Sequence, residues 1–249
     1  MSKVLIIGDS CTDVFIYGKV DRLCPEAPVP VINPTHQTEN GGMAKNVKSN
    51  LEALGVDVDI VTNPNDIKKI RYVDDKSNQM VLRVDEHDWC DRIKLDDLYY
   101  IKEVIHRYDA IIISDYCKGF LEEGDITDII EDCNKMVFID TKKKLGDWVK
   151  EADYIKINDL EYIKNYEIIA DYPELEGKLI TTQGSRGCKF MGKMFPTQEV
   201  PVKDVSGAGD TFLAGLVCEY LKSQDIKKSI EFAQECTTKV VQKTGVSTI

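Results

Sequence analysis

Histidine is scarce in this chain: three occur among 249 residues, too few to build a histidine-rich metal centre. Eight cysteines are present, yet none form a C-x-x-C pair. That spacing predicts reduced thiols rather than a disulfide framework or a zinc site. No hydrophobic run is long enough to span a bilayer. Met1-Ser2-Lys3 leads directly into an apolar run, leaving no room for a signal peptide, so a cytoplasmic protein is expected. Basic residues are the minority, 32 against 43 acidic ones, for a formal charge of −11. A general nucleic-acid binder would carry a basic face and is not expected. A phosphorylated small molecule stays within reach, because a few local cations and helix N-termini decide its binding. Low-complexity linkers and internal repeats are absent too.

What is present is punctuation of the strand–helix kind. Leu5 to Gly8, Ala110 to Ser114, Val137 to Ile139 and Leu179 to Thr181 are short apolar runs of the buried-strand type, with helical stretches between them. Such alternation predicts an α/β fold with a mostly parallel central sheet covered on both faces. Two regions break the rhythm. Val29-Pro30-Val31-Ile32 is one, and Ile70–Val73 with Met80–Val84 is the other; both read as short antiparallel strands, the latter pair turning near Lys76-Ser77-Asn78.

The richest stretch is Asp204-Val205-Ser206-Gly207-Ala208-Gly209-Asp210-Thr211, which opens the apolar run Phe212–Val217. Glycines around an alanine at a helix start leave backbone N–H groups bare, which suits an oxyanion or phosphate. Asp210 then stands where a carboxylate can take a proton from an attacking hydroxyl, while the amides of Gly207, Ala208 and Gly209 hold the developing charge. The same residues also suit an ordinary helix start with Ser206 as cap. Upstream, Asn40-Gly41-Gly42-Met43-Ala44-Lys45-Asn46 reads as a glycine turn entering a helix that stops at Gly55.

These two segments resemble the signature motifs of the ribokinase-like, or PfkB-type, carbohydrate kinases. Val4–Asp9 with Asp13, Arg22–Val31, Ser114-Asp115-Tyr116-Cys117-Lys118-Gly119, Asp140-Thr141-Lys142, Asn158-Asp159-Leu160-Glu161 and Thr244–Thr248 resemble one branch, the D-glycero-β-D-manno-heptose 7-phosphate 1-kinases. The resemblance implies a ribokinase-like three-layer sandwich with a small β lid. It implies a single domain over residues 1–249, with lid strands from about 14–40 and 69–86. The implied chemistry is ATP- and Mg²⁺-dependent phosphorylation of a sugar hydroxyl, and the implied assembly a homodimer joined through the lid. With no further domain after Ile249, an adenylyltransferase activity like that of bifunctional relatives is expected from elsewhere.

Site residues follow from that resemblance. Asp210 is the expected base, with Asp13, Gly41, Gly42 and Asn46 on the sugar face. Asn158 and Glu161 reproduce an Asn-x-x-Glu element that organises Mg²⁺, Glu161 through water; the same pair also suits a capping box. Thr182-Gln183-Gly184 is similar to a nucleotide loop, and Lys142 to a basic residue near the phosphates, although Lys142–Lys144 is also a charge run that solvent can simply cover. A phosphorylated sugar needs cations of its own, for which Arg71, Arg83, Lys118 and Arg22 are candidates and Arg83 and Lys118 the expected contributors. Lys45, where the branch usually has a small residue, either meets a phosphate or points to solvent. Between Val61 and Arg71 the chain is shorter than the family pattern, which usually inserts a further helix and strand. Two other readings remain open: a kinase of the same type for another sugar, and a non-catalytic nucleotide- or sugar-binding relative.

Overall fold

Val4 and Ile6 belong to one buried cluster, Leu5 and Ile7 to another. A strand whose alternate side chains are apolar on both sides must lie between two layers, and this one does. The computed structural model describes residues 2–131, 133–243, 245 and 247–249. The first half of the chain contains β1 (Lys3–Gly8), β2 (Ser10–Leu23), β3 (Pro30–Met43), α1 (Ala44–Ala53), β4 (Asp57–Thr62), β5 (Ile67–Asp74) and β6 (Met80–Glu86). Next come α2 (Leu95–Val104), β7 (Ala110–Asp115), α3 (Glu123–Ile130), β8 (Met136–Thr141) and β9 (Tyr154–Asn158). The remainder holds α4 (Asp159–Lys164), α5 (Tyr166–Asp171), β10 (Leu179–Thr182), β11 (Cys188–Phe190), β12 (Lys193–Phe195), α6 (Ala208–Ser223) and α7 (Ile226–Val240).

The main sheet has the order β12-β11-β10-β9-β8-β7-β1-β4. It is parallel from β4 to β10, with β11 and β12 added antiparallel at the edge. One face packs on Leu98 and Ile101 of α2 and Ile126 and Ile129 of α3; the other packs on α1 and α6. Residues Thr211 to Cys218 of α6 are all buried, as befits a helix covered on several sides. All four strands expected from apolar runs are present, each longer by one to three residues. The strand β4 escaped the sequence reading because Val58 and Ile60 alternate with Asp57 and Asp59 at the sheet edge.

A second sheet, ordered β3-β2-β5-β6, forms the lid. The β5–β6 hairpin turns where expected: Asp74 Oδ2 accepts from Ser77 N at 2.9 Å and Asn78 has φ 59°. The lid differs from the expectation of short antiparallel strands in two ways. Its first two strands have 14 residues each, and its central pair, β2 with β5, is parallel. The parallel pair arises because both strands continue from parallel neighbours of the main sheet, β2 after β1 and β5 after β4. Asn63 clamps the two exits together: its Oδ1 accepts from Ser10 N at 2.7 Å and its Nδ2 donates to Ser10 O at 3.2 Å. Only residues 63–66 join β4 to β5.

Candidate active site

The amino end of α6 lies at the centre of the site. Gly207 is the residue before the helix and adopts φ 77°, a left-handed conformation that glycine enters without steric cost. No side chain caps this end; Ser206 instead donates its backbone N–H to Asp204 Oδ1 at 2.8 Å. The capping role open to Ser206 is therefore not realised, and the first amides of α6 have no side-chain acceptor.

Asp210 stands in that first turn, 3% exposed. Asn46 Nδ2 donates to its Oδ2 at 2.8 Å, and the Tyr116 hydroxyl donates to its Oδ1 at 2.5 Å. Burial drives the carboxyl up to about 6, with Asp140 pushing the same way; the bonds from Tyr116 and Asn46 and the charge of Lys156 restrain it. A carboxylate poised near neutrality is what a general base requires. Tyr116 itself is held well above the ordinary phenol range by burial and by the Asp210 charge, so it stays a donor.

The residues expected on the sugar face are gathered by the pairing of two strands and by α1. Pairing of β2 with β3 sets Asp13 opposite Asn40, Thr12 opposite Gly41 and Cys11 opposite Gly42. A Cβ on Gly42 would fall 2.2 Å from Asp13 Oδ2 and 2.5 Å from Cys11 Sγ, so glycine is what leaves room for the Asp13 carboxylate. Arg71 Nη1 donates to Asp13 Oδ1, and its guanidinium lies 5.0 Å from the Phe15 ring centre. Met43 leads into α1, which carries Asn46 to Asp210. A cavity of about 340 Å³ opens beside Asn40, Gly41 and Asn46. Lys45 is exposed on the helix surface.

On the other side, Asn158 and Glu161 form a reciprocal capping box on α4, at 2.8 and 2.7 Å. Lys142 Nζ donates to Glu161 Oε1, so this lysine already has a carboxylate partner. Burial works against the Lys142 charge, but Asp140, Glu161 and Asp210 outweigh it and hold the ammonium above the usual lysine range. Lys156 and Asp140 form a buried ion pair at 2.7 Å, and a Cβ on Gly209 would lie 2.9 Å from Lys156 Nζ. Thr182 and Gly184 line a cavity of about 120 Å³ with Gly209 and Phe212. Gly184 and Ala208 also line a larger cavity of about 570 Å³, walled by Val200, Val202 and Val205.

Two expected residues already hold carboxylates. Arg83, on β6, is bidentate to Asp85 at 2.6 and 2.8 Å, and Lys118 pairs with Asp88 at 2.5 Å. In the closing segment, Thr244 and Val246 lie outside the described residues. Sequence reasoning missed Tyr116 and Asp9. Asp9 accepts from the backbone N–H of Tyr116, Lys118 and Phe120 at 2.7, 3.2 and 3.2 Å, and so shapes the loop that aims Tyr116 at Asp210. Both follow strand carboxyl ends, where open parallel sheets gather ligands, and that position was the available signal.

This fold and this helix-start carboxylate define a ribokinase-like carbohydrate kinase. Residues 129–249 match the pfkB family carbohydrate kinase profile. The chain is 31% identical over 299 residues to "Bifunctional protein HldE" of Helicobacter acinonychis (strain Sheeba), and 32% identical over 295 residues to that of Campylobacter fetus subsp. fetus (strain 82-40). Each alignment takes in 98% of this chain and 64% of the relative, so the chain spans less than two thirds of their length. At least 50 positions aligned with the former have no counterpart among these 249 residues. Among solved structures, phosphofructokinase-2 from Escherichia coli in complex with potassium superposes with a TM-score of 0.76 at 12% identity, over 99% of this chain and 94% of that one. Ribokinase from Thermotoga maritima gives 0.71 at 15%, over 99% and 95%. The chain thus carries a PfkB carbohydrate kinase domain.

Proposed function

We propose that the protein transfers the γ-phosphate of ATP to the anomeric hydroxyl of D-glycero-D-manno-heptose 7-phosphate, with Mg²⁺. The observation that carries the phosphoryl-transfer chemistry is Asp210, buried at an uncapped helix start between Asn46 and Tyr116. The heptose rests on the resemblance and on the HldE relatives. As the sugar oxygen attacks the γ-phosphorus, its proton passes to Asp210. The bond from that phosphorus to the β–γ bridging oxygen breaks and ADP leaves, while the amides of Gly207 and Gly209 would face the charge on the transferred group; Ala208 N–H donates to Val205 O at 3.2 Å instead. The apolar cavity beside Gly184 and Ala208 suits an adenine ring, and Thr182 and Gly184 lie on the phosphate path from it. Lys156, beside Gly209, adds positive charge where the phosphates would lie.

The donor set fits Mg²⁺ bound mainly through water and nucleotide phosphates. Asp140 Oδ1 is buried without a hydrogen-bond partner, and Glu161 stands nearby through Lys142. Among the described residues no group of three or more acidic, histidine or cysteine side chains could hold a metal ion without water or phosphate ligands. When bound, Mg²⁺ neutralises charge on the phosphates. Glu161 and Asp140 would orient its waters.

The lid supports a homodimer. Its strand register places Val14, Ile16, Ile70, Tyr72, Leu82 and Val84 on one face. Leu82 is 55% exposed there, and a second copy would cover that apolar surface. No helix among the described residues is long and apolar enough to cross a membrane, and a cytoplasmic location is proposed with the rest.

The experiment is ADP release with Mg-ATP over heptose 7-phosphate, fructose 6-phosphate, ribose and free hexoses, with Asp210→Asn as control. Turnover on the heptose phosphate alone, lost in the variant, supports the proposal. Turnover on another sugar removes the heptose but keeps the chemistry. ATP binding with no turnover on any acceptor points to a non-catalytic relative.

A further inference from the structure

Helix α1 carries two buried asparagines one turn apart, Asn46 and Asn50, 2% and 0% exposed. Asparagine is a poor helix former, and its amide is costly to bury unless it is hydrogen-bonded. A wholly enclosed Asn50 in the middle of a helix therefore calls for a reason, and its hydrogen bonds supply one. Asn50 Nδ2 donates to the Asn46 backbone carbonyl at 2.9 Å and to Asn46 Oδ1 at 3.1 Å. Asn50 Oδ1 accepts from the backbone N–H of Ile249 at 3.2 Å and from the Thr211 hydroxyl at 3.5 Å. Asn46 Nδ2 in turn donates to Asp210 Oδ2 at 2.8 Å and to Gly207 O at 3.5 Å. Donor and acceptor thus alternate without a break from Ile249 and Thr211 to the Asp210 carboxylate.

A side-chain amide has one donating and one accepting end, and this chain of bonds fixes which is which. Turning Asn50 over would set its NH₂ group against two other donors. Turning Asn46 over would set its oxygen against Asp210 Oδ2 and Gly207 O. We propose that Asn50 is a positioning residue: by holding the oxygen of Asn46, and being held itself by Ile249 and Thr211, it keeps a donor rather than an acceptor on Asp210. The bond from Asn46 is one of the influences that restrain the rise of the Asp210 carboxyl. The titratable groups around that carboxyl are Tyr116 after β7, Asp140 on β8 and Lys156 on β9, with Lys142 and Cys11 within its field. Asn50 adds no charge to this set, so its influence is the orientation of a dipole. That Asp210 is the base belongs to the kinase reading, on which the order of donors and acceptors does not depend.

Titration of Asp210 tests this without turnover. Carbon-13 NMR of the full chain, labelled at the aspartate carboxyls, follows the group directly, its signal being the one missing from Asp210→Asn. Asn50→Leu keeps the bulk of the side chain and frees the Asn46 amide to turn. The Asp210 midpoint should then move up by about one pH unit, the size of one hydrogen bond to a carboxylate. Ile249→Pro withdraws only the N–H that holds Asn50 Oδ1, and should move the midpoint the same way by less, since Thr211 still donates. Where a sugar is turned over, the acid limb of kcat/KM should follow the NMR midpoint while the KM for ATP stays unchanged. The inference is overturned if Asn50→Leu, shown folded by circular dichroism, loses thermal stability but titrates as wild type does, or if its midpoint falls. Should Asn50→Leu not fold, Ile249→Pro decides alone, and an unmoved midpoint there overturns the inference. A protein that phosphorylates no sugar yet shows these shifts removes the base and leaves Asn50 in its role.

Discussion

Asp210 sets two pH dependences of opposite sign. As the proposed base it must be ionised, so kcat/KM should rise with pH through about 6. As a buried acid raised above its unfolded value of 3.8, it binds protons more tightly when folded. Its contribution to stability is therefore full below about pH 4 and is lost as pH rises through about 6. Denaturation midpoints followed across that window should show the loss in wild type and not in Asp210→Asn, whose activity should fall by orders of magnitude. Tyr116→Phe removes a bond that favours the carboxylate. The acid limb of the kcat/KM profile should then move to higher pH, a shift that a merely structural role for the ring would not produce. The thiols beside the site are poor nucleophiles at neutral pH: burial and Asp13 push Cys11 up to about 12, and burial and Asp9 do the same for Cys90.

Among the elements, the crossings from main sheet to lid carry the most consequence. Asn63 satisfies both backbone groups of Ser10 and thereby ties the start of β2 to the end of β4. Asn63→Ala leaves a buried donor and acceptor unmet and should cost about 1–3 kcal/mol, read by urea unfolding. Because the lid carries Asp13, the acceptor KM should rise more than the ATP KM. The β2–β3 pairing offers a sharper test. Gly42→Ala drives a methyl into Asp13 Oδ2 and Cys11 Sγ, so acceptor affinity should fall while ATP-analogue binding, at the far side of α6, is kept. Calorimetry with each ligand separates the two.

At the scale of the molecule, the lid is two-faced, with paired charges toward Asp210 and apolar side chains away from it. Light scattering should report a dimer for wild type, and Leu82→Asp combined with Val84→Asp should give a monomer with weakened acceptor binding. A wild-type monomer would remove the dimer from the proposal. The direct route from β4 to β5 through residues 63–66 agrees with the shortening read between Val61 and Arg71. It also leaves β4 as the edge of the main sheet.

Much of the fold was legible because its signals are local. Apolar runs flanked by turn residues predict buried strands, and a Gly-Ala-Gly stretch ahead of an apolar run predicts a helix start. Asp210 and Asn46 could be placed at the site from their own neighbourhoods and the resemblance those motifs carry. The sequence by itself determined this much: an α/β sandwich, a glycine-rich helix start and a carboxylate within it. Which charges would be free was decided by tertiary structure alone. Arg71, Arg83 and Lys118 look alike in sequence, but strand register and loop path commit each to an aspartate, and Arg71 finds Asp13 across 58 residues. Tyr116 reaches Asp210 across 94, aimed by three amides gathered on Asp9. Hydrogen bonds and ion pairs act over a few ångströms, so their partners exist only once distant strands have come into register.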